Sequence, residues 1–287
     1  MAKDIDYLSE IHRRKRKRRF YFSLVAALVI VYFVTVVSAW VILKSPVFSV
    51  TSIEITGNST VATDDIRLLL YSRLLAGPWR GLKALLGFRN MLIWPPGFSG
   101  ADLIFLPPLK SLSIKKDYRN HRVLVAVLER KPEGIWCLQT QTDADGTLTD
   151  AEGSLRKSAS GCWWFDDEGV VFRKALNTSG SLIRIVHDYS QSKLGLNSKV
   201  LGGGFMPSLL SVFRVLESSG LGVKEIRLND ISLQELEVST YDGPKIYFSL
   251  RFPADNDLAV IESLMPKSGF KTLEYIDFRV ENRAYYK

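Results

Sequence analysis

At 287 residues the chain has room for a membrane anchor and about two modest domains. Hydrophobic residues make up 46% and charged residues 24%, a balance that excludes a largely disordered chain. The net charge of +8 is concentrated at one end: residues 1–19 hold eight basic and three acidic side chains, so the excess marks a tail and not a nucleic-acid groove.

From Phe20 to Leu43 no charge interrupts 24 residues. As a helix this run is roughly 36 Å long, more than the hydrocarbon core of about 30 Å. Tyr21 and Trp40 stand near its ends, where interfacial aromatics belong. The run is far longer than the apolar stretch of a cleaved signal peptide, so an uncleaved anchor is expected despite the small residues Val37-Ser38-Ala39. Arg13, Arg14, Lys15, Arg16, Lys17, Arg18 and Arg19 abut its N-terminal side, against Lys44 on the other. They act as topology determinants, predicting a cytoplasmic N-terminus, an extracytoplasmic C-terminus and contact with anionic headgroups.

Past the anchor, Val47, Val50, Ile53 and Ile55 open a strand (FSVTSIEITG), and Gly57-Asn58 reads as a turn. Thr63-Asp64-Asp65 reads as a helix N-cap followed by IRLLLYSRLL, with Ile66, Leu69, Leu70 and Leu74 on one side. Residues 76–108 are Trp-, Pro- and Gly-rich; within them WRGLKALLGF (Trp79–Phe88) has the mixed character of a short amphipathic helix, packed on a sheet or lying on a membrane surface. Two alternating strands follow, KSLSIKKDY and HRVLVAVLER, with Asn120 in the turn.

After Lys131-Pro132 the pattern changes. EGIWCL and GCWWF read as strands separated by a polar loop at 139–160, and Asp167-Glu168-Gly169 turns the chain into VVFRK. PSLLSVFRVLESSG is an amphipathic helix opened by Pro207 and closed by Gly220. Strands KEIRL, LQELEVST and KIYFSL, a helix DNDLAVIESLM and a closing segment TLEYIDFRVENRAYYK complete the chain. The fold class is α+β.

No motif carries chemistry. Asp166, Asp167 and Glu168 would fan out from a strand running into a tight turn and do not converge on one point. Gly202-Gly203-Gly204 lacks the phosphate-loop Lys-Ser/Thr, Ser99 lacks nucleophile-elbow spacing, and His12, His121 and His187 have no ligand spacing. No catalytic residue, metal or cofactor is expected. Trp136, Trp163, Trp164 and Phe165 suit a core better than a ligand platform.

Four segments, in order, resemble the FtsQ/DivIB family of bacterial cell-division proteins. FSVTSIEITGNSTVATDDI directly after a single anchor resembles the start of that family's POTRA domain. Val123–Trp136 (VLVAVLERKPEGIW) resembles its E-R-x-P-x-x-x-W junction, Phe165–Phe172 (FDDEGVVF) its D-x-x-G-V-V-F hairpin, and Tyr275–Lys287 its closing strand. The resemblance implies a basic tail at 1–19, a transmembrane helix at 20–43, a βααββ POTRA domain at 46–131 and a larger mixed β domain with flanking helices at 132–287. It implies a non-enzymatic divisome scaffold in the bacterial inner membrane at the septum. Its partners would be FtsL/DivIC-type and FtsB-type bitopic coiled-coil proteins, linked through them to the septal peptidoglycan synthase. The competing readings are a membrane-anchored wall enzyme, which needs a polar constellation in residues 132–287, and a POTRA-bearing translocation component, which needs a series of lipid-facing strands.

The resemblance also implies partner binding just after Tyr275, Asp277 and Arg279. A closing strand at a sheet edge offers unpaired N–H and C=O groups to an added strand. The expected partner-binding residues are Arg279, Val280, Glu281, Asn282, Arg283, Ala284, Tyr285 and Tyr286, alternating between two faces, with the Arg and Tyr side chains as anchors. Cys137 and Cys162 lie on strands expected to pair, and two readings stay open: a disulfide stabilising by roughly 3 kcal/mol, or two buried free thiols.

Overall fold

The computed structural model describes residues 2–76, 80–139, 161–176 and 184–287, with side chains from residue 18 onward except 42–44, 82 and 85. The side chains of Arg13, Arg14, Lys15, Arg16 and Lys17, the residue Trp79 and nearly all of the 139–160 loop lie outside the described residues.

Helix α1 (Ala2–Lys44) contains Arg18–Val41, 24 residues of mean hydropathy 2.6 with no buried side chain. Among the described residues it is the one helix long and apolar enough to cross a membrane. The rest of the chain is mixed α and β and divides into two compact units. One comprises Met1–Asn58, Ala62–Phe98 and Leu112–Val127; the other Ser59–Val61, Ser99–Ser111 and Leu128–Lys287.

The first sheet has four strands: β1 (Ser52–Thr56), β2 (Gly97–Ser99), β3 (Leu109–Asp117) and β4 (Arg122–Glu129), in the order β1-β4-β3-β2. β1 runs parallel to β4 from Ser52↔Arg122 to Thr56↔Ala126. Between β1 and β2 lie α2 (Thr63–Leu74) and α3 (Arg80–Leu86). The alternation in β4 buries Val123, Val125 and Val127, and the period of α2 buries Ile66, Leu69, Leu70 and Leu74. Burying each such side chain stabilises by about 1.5–3 kcal/mol.

Three local expectations are corrected. Residues 46–48 form a 3₁₀ turn, because Pro46 presets its φ and Ser45 accepts from the Val47 N–H, so β1 is confined to Ser52–Thr56. Ala62, not Thr63, is the N-cap of α2 and supplies no side-chain bond; the Thr63 hydroxyl instead accepts from Asn58 Nδ2 at 3.2 Å. Residues 97–99 add β2, a strand not expected in the Pro-rich segment.

The second unit is built on a nine-stranded sheet. Its strands are β5 (Gly134–Leu138), β6 (Cys162–Phe165), β7 (Val171–Ala175), β8 (Ile185–Asp188), β9 (Val223–Leu228), β10 (Glu235–Thr240), β11 (Lys245–Ser249), β12 (Tyr275–Phe278) and β13 (Tyr285–Tyr286). Their spatial order is β13-β12-β11-β10-β9-β8-β5-β6-β7, with β5/β8, β8/β9 and β11/β12 parallel. Helices α4 (Met206–Ser219) and α5 (Asp257–Leu264) join Trp136, Phe165, Phe213, Phe248, Ile261 and Phe278 in one large core. Gly220 closes α4 at φ 68°, a left-handed conformation that glycine adopts without cost.

A second, smaller cluster joins Ile135, Cys137, Cys162, Ala175 and Ile185, with Trp164 packed against it and Trp163 against the main core. Cys137 and Cys162 face each other across the β5/β6 ladder and are joined in a disulfide. Both are buried, at 0% and 4% exposure.

Candidate functional site: the outer edge of the nine-stranded sheet

At one end of the second sheet the chain builds a charged corner. Along β12, Ile276 and Phe278 point into the core, where Phe278 stacks on Phe248 at 5.5 Å between centroids. The alternation therefore turns Tyr275 and Asp277 to the opposite face. Arg279 follows and its guanidinium closes on three groups. Nε and Nη2 donate to the Asp277 carboxylate at 2.9 and 2.6 Å, Nη1 donates to Glu235 at 2.9 Å, and the plane lies 5.0 Å from the Tyr247 ring centroid. Two carboxylates push the Arg279 pKa up, and the same guanidinium holds Asp277 below the usual carboxylate range.

Beyond Arg279 the chain does not continue as a strand. Arg283 N–H donates to the Val280 carbonyl at 3.1 Å, and Asn282 takes φ 57°. This is a turn, and Asn is one of the few residues that tolerates the left-handed region. The expected eight-residue strand with two alternating faces is therefore replaced by a turn at Val280, Glu281, Asn282 and Arg283. After Ala284, which packs against the core, Tyr285 and Tyr286 run back antiparallel to β12, with Asp277↔Tyr285 and Ile276↔Tyr286 opposed.

The result is a two-residue edge strand. Lys287 N–H donates to Tyr275 O at 3.2 Å, and Glu274 N–H donates to Lys287 O at 2.6 Å. By the alternation of an antiparallel ladder, the N–H and C=O of Tyr286 then point outward. Among the described residues no strand pairs on that side. Val280, Tyr285 and Tyr286 are 48%, 48% and 55% exposed. Arg283 reaches the Tyr285 hydroxyl at 3.5 Å, and Lys287 pairs with Glu274 at 3.1 Å. Of the anchors expected from sequence, Arg279 is thus committed to holding the corner, while Tyr285 and Tyr286 face solvent.

The opposite edge differs. β7 is covered over its first residue, where Val171 N–H donates to Ser198 O at 2.9 Å and Asn197 N–H donates to Val171 O at 2.7 Å.

The residues weighed for chemistry have structural partners. The Asp166 carboxylate is fully buried; it pairs with Arg130 and accepts from the N–H groups of Glu168 and Val170 at 3.0 and 2.8 Å. Asp167 and Glu168 turn outward to Lys110 at 3.0 and 3.1 Å. Asp188, also buried, accepts from Trp136 Nε1 at 2.9 Å and from Ser190 and Gln191. Burial lowers the His187 pKa, and its ring nitrogen contacts Gln139 at 2.8 Å. Among the described residues no group of three or more His, Cys, Asp or Glu is placed to hold a metal ion. A surface cleft of about 480 Å³ beside the start of α4 is lined by Lys199, Arg214, Asp167, Glu168 and Asp255, with no His, Cys or Ser.

No protein-family model matches the chain, and no curated protein matches it.

Proposed function

We propose that this chain is a membrane-anchored, non-enzymatic scaffold of the bacterial divisome, of the FtsQ/DivIB kind, that binds small bitopic coiled-coil proteins of the FtsL/DivIC and FtsB types outside the cytoplasm. The observation that carries the reading is the free edge at β13, whose outward backbone groups sit beside exposed tyrosines. An extended segment of a partner adds there as a further strand, satisfying backbone groups that the sheet leaves open.

Two further features support it. The POTRA reading of the first unit draws on a parallel β1/β4 pair with two helices inserted after β1, although β2 exceeds the βααββ pattern. The extracytoplasmic placement draws on the basic cluster before the anchor and on a buried disulfide, a bond that persists in oxidising compartments.

The test uses the full-length protein in bacterial membranes. A photo-crosslinking residue at Tyr286 is expected to capture FtsB- or FtsL-type partners, whereas one at Arg173 on β7 is not. Absence of crosslinks at Tyr286 with capture at Arg173 would move the site to the other edge. A periplasmic reporter fused after Lys287 is expected to be active; silence from a well-expressed fusion overturns the orientation.

A further inference from the structure

Three stretches distant in sequence converge where the chain leaves α1. Ser49 bridges to Asn90, Val50 N–H donates to Arg89 O at 2.6 Å, and Thr51 N–H donates to His121 O at 2.7 Å. The parallel register agrees, since Ser52 opposes Arg122 at the start of both strands. Residues 47–51, 88–92 and the β3/β4 turn therefore occupy one end of the first unit.

That end exposes four large apolar side chains. Val47 is 52% exposed, Leu92 42%, Tyr118 43% and Phe88 37%. Leu92 projects from a 3₁₀ turn between the buried Met91 and Ile93, with Asn90 capping it, so its exposure follows from the backbone. Phe88 leans on Tyr71 and Tyr118 on Phe48, with ring centroids 4.7 and 6.3 Å apart. Arg89 and Arg119 are exposed in the same two stretches. The nearby acidic groups are occupied: Asp117 accepts from Asn120 and Arg122, and Glu54 accepts from Arg122. Exposed apolar residues scattered singly need no explanation. Four at one end, interleaved with arginines that have no carboxylate partner among the described residues, do.

We infer that this end, formed by Val47, Phe88, Leu92 and Tyr118 with Arg89 and Arg119, beds into the headgroup layer of the anionic bilayer that holds α1. The inference rests on reading α1 as membrane-spanning and is independent of which side the unit lies on. Four residues lie between Lys44 and Ser49, a reach of at most about 18 Å even if fully extended. The headgroup layer occupies about 5–7 Å on each side of the hydrocarbon. The tether holds the collar at the surface, so contact carries none of the translational cost that a free partner would incur. Aromatic and aliphatic side chains with arginines beside them are the mixture that lies at such interfaces.

The test places a nitroxide on single introduced cysteines at Leu92, Tyr118, Thr56 and Ile30 of the full-length protein in nanodiscs containing phosphatidylglycerol. The native cysteines are joined and take no label. Ile30 lies within the apolar helix, and Thr56 ends β1 away from the anchor. The expected result is an oxygen-to-nickel-chelate accessibility ratio at Leu92 and Tyr118 shifted toward that of Ile30, with Thr56 reading as water. The combined Arg89→Glu and Arg119→Glu variant is expected to shift both labels back toward Thr56. If Leu92 and Tyr118 match Thr56 while Ile30 reads as lipid, the collar is overturned and the anchor stands. If Ile30 also reads as water, the anchor itself fails and takes the collar with it.

Discussion

The Arg130 guanidinium and the Asp166 carboxylate form an ion pair inside the second unit, with side chains 11% and 0% exposed. Arg130 Nε also donates to Pro107 O at 3.2 Å, so the guanidinium is held from two sides. The pair ties Arg130, within the second unit, to the β6/β7 turn, where Gly169 takes φ 76°. Breaking it from the arginine side leaves Asp166 buried without its counter-charge. Arg130→Met is therefore expected to destabilise the second unit by about 3–5 kcal/mol. Urea unfolding followed by the fluorescence of the buried Trp136 measures this, and a loss below 1 kcal/mol, about the ceiling for an exposed pair, would show that the carboxylate finds water instead.

Glu129, the neighbour of Arg130, organises the loop before α2. Its carboxylate accepts from the N–H groups of Ser59, Thr60 and Val61 at 2.8–3.1 Å and from both hydroxyls, at 2.8 and 2.7 Å. These bonds overcome the desolvation penalty and bring its pKa from 4.5 down to about 2. A carboxyl depressed on folding contributes stability above its unfolded pKa and loses it as pH falls through the folded one. The melting-temperature gap between wild type and Glu129→Gln is expected to be full at pH 7 and to narrow from pH 4.5 toward pH 2. A gap unchanged over that range would mean that the carboxylate charge is not what holds the loop.

Asp257 runs the other way. At the start of α5 it is desolvated by burial and sits near Asp255, which raises its pKa from 3.8 to about 7. A raised carboxyl contributes its stability below pH 3.8 and loses it as pH climbs through about 7. Asp257→Asn is expected to raise the melting temperature at pH 8 and leave it nearly unchanged at pH 4. A lowered value at pH 8 would mean that the charge at the helix N-terminus outweighs desolvation.

The Cys137–Cys162 bond closes a loop with a sequence separation of 25 between buried ends. The chain-entropy relation gives about 3.5 kcal/mol for a loop of that size. The double variant Cys137→Ala, Cys162→Ala is expected to lose that amount in urea unfolding under oxidising conditions and to match the wild type within error when both are reduced. Thiol labelling of denatured, unreduced wild-type protein is expected to find no reactive thiol; two would remove the bond.

What was legible in the sequence follows the reach of each physical rule. Val123, Val125 and Val127 announce β4 because a half-buried strand has period two, and Gly220 announces the end of α4 because the left-handed cap favours glycine. β8 was not visible: Ile185–Asp188 is four residues long and largely buried, so it shows no alternation of apolar and polar side chains. The bonds from Glu129 to residues 59–61 and from Arg130 to Asp166 span 68–70 and 36 residues, and no local pattern specifies such partners. At the candidate edge a signal was present. Glu281-Asn282-Arg283 is a polar run containing a residue that tolerates positive φ, which fits the turn better than a strand.

That turn changes how the proposed partner edge is best tested. Removing Val280–Lys287 uncovers β12, which then offers a new free edge, so retained binding by the truncated protein would say nothing about β13. A point change is cleaner. Lys287 uses its N–H and C=O on Tyr275 and Glu274, facing inward, and the ladder turns those of Tyr286 outward. Tyr286→Pro deletes one outward donor, while the inward bonds are made by Lys287. Tyr286→Ala keeps the donor and removes the ring. If a partner strand adds to this edge, proline is expected to weaken capture of the proposed FtsB- or FtsL-type partner by roughly five- to a hundredfold, corresponding to roughly 1–3 kcal/mol for a lost and unreplaced backbone bond. Alanine is expected to cost less unless the ring fills a pocket in the partner. Quantitative pull-down with full-length protein in detergent reads both, and an unchanged melting temperature shows that the corner held by Arg279 is intact. Equal binding by wild type and the proline variant would remove β13 as the docking strand.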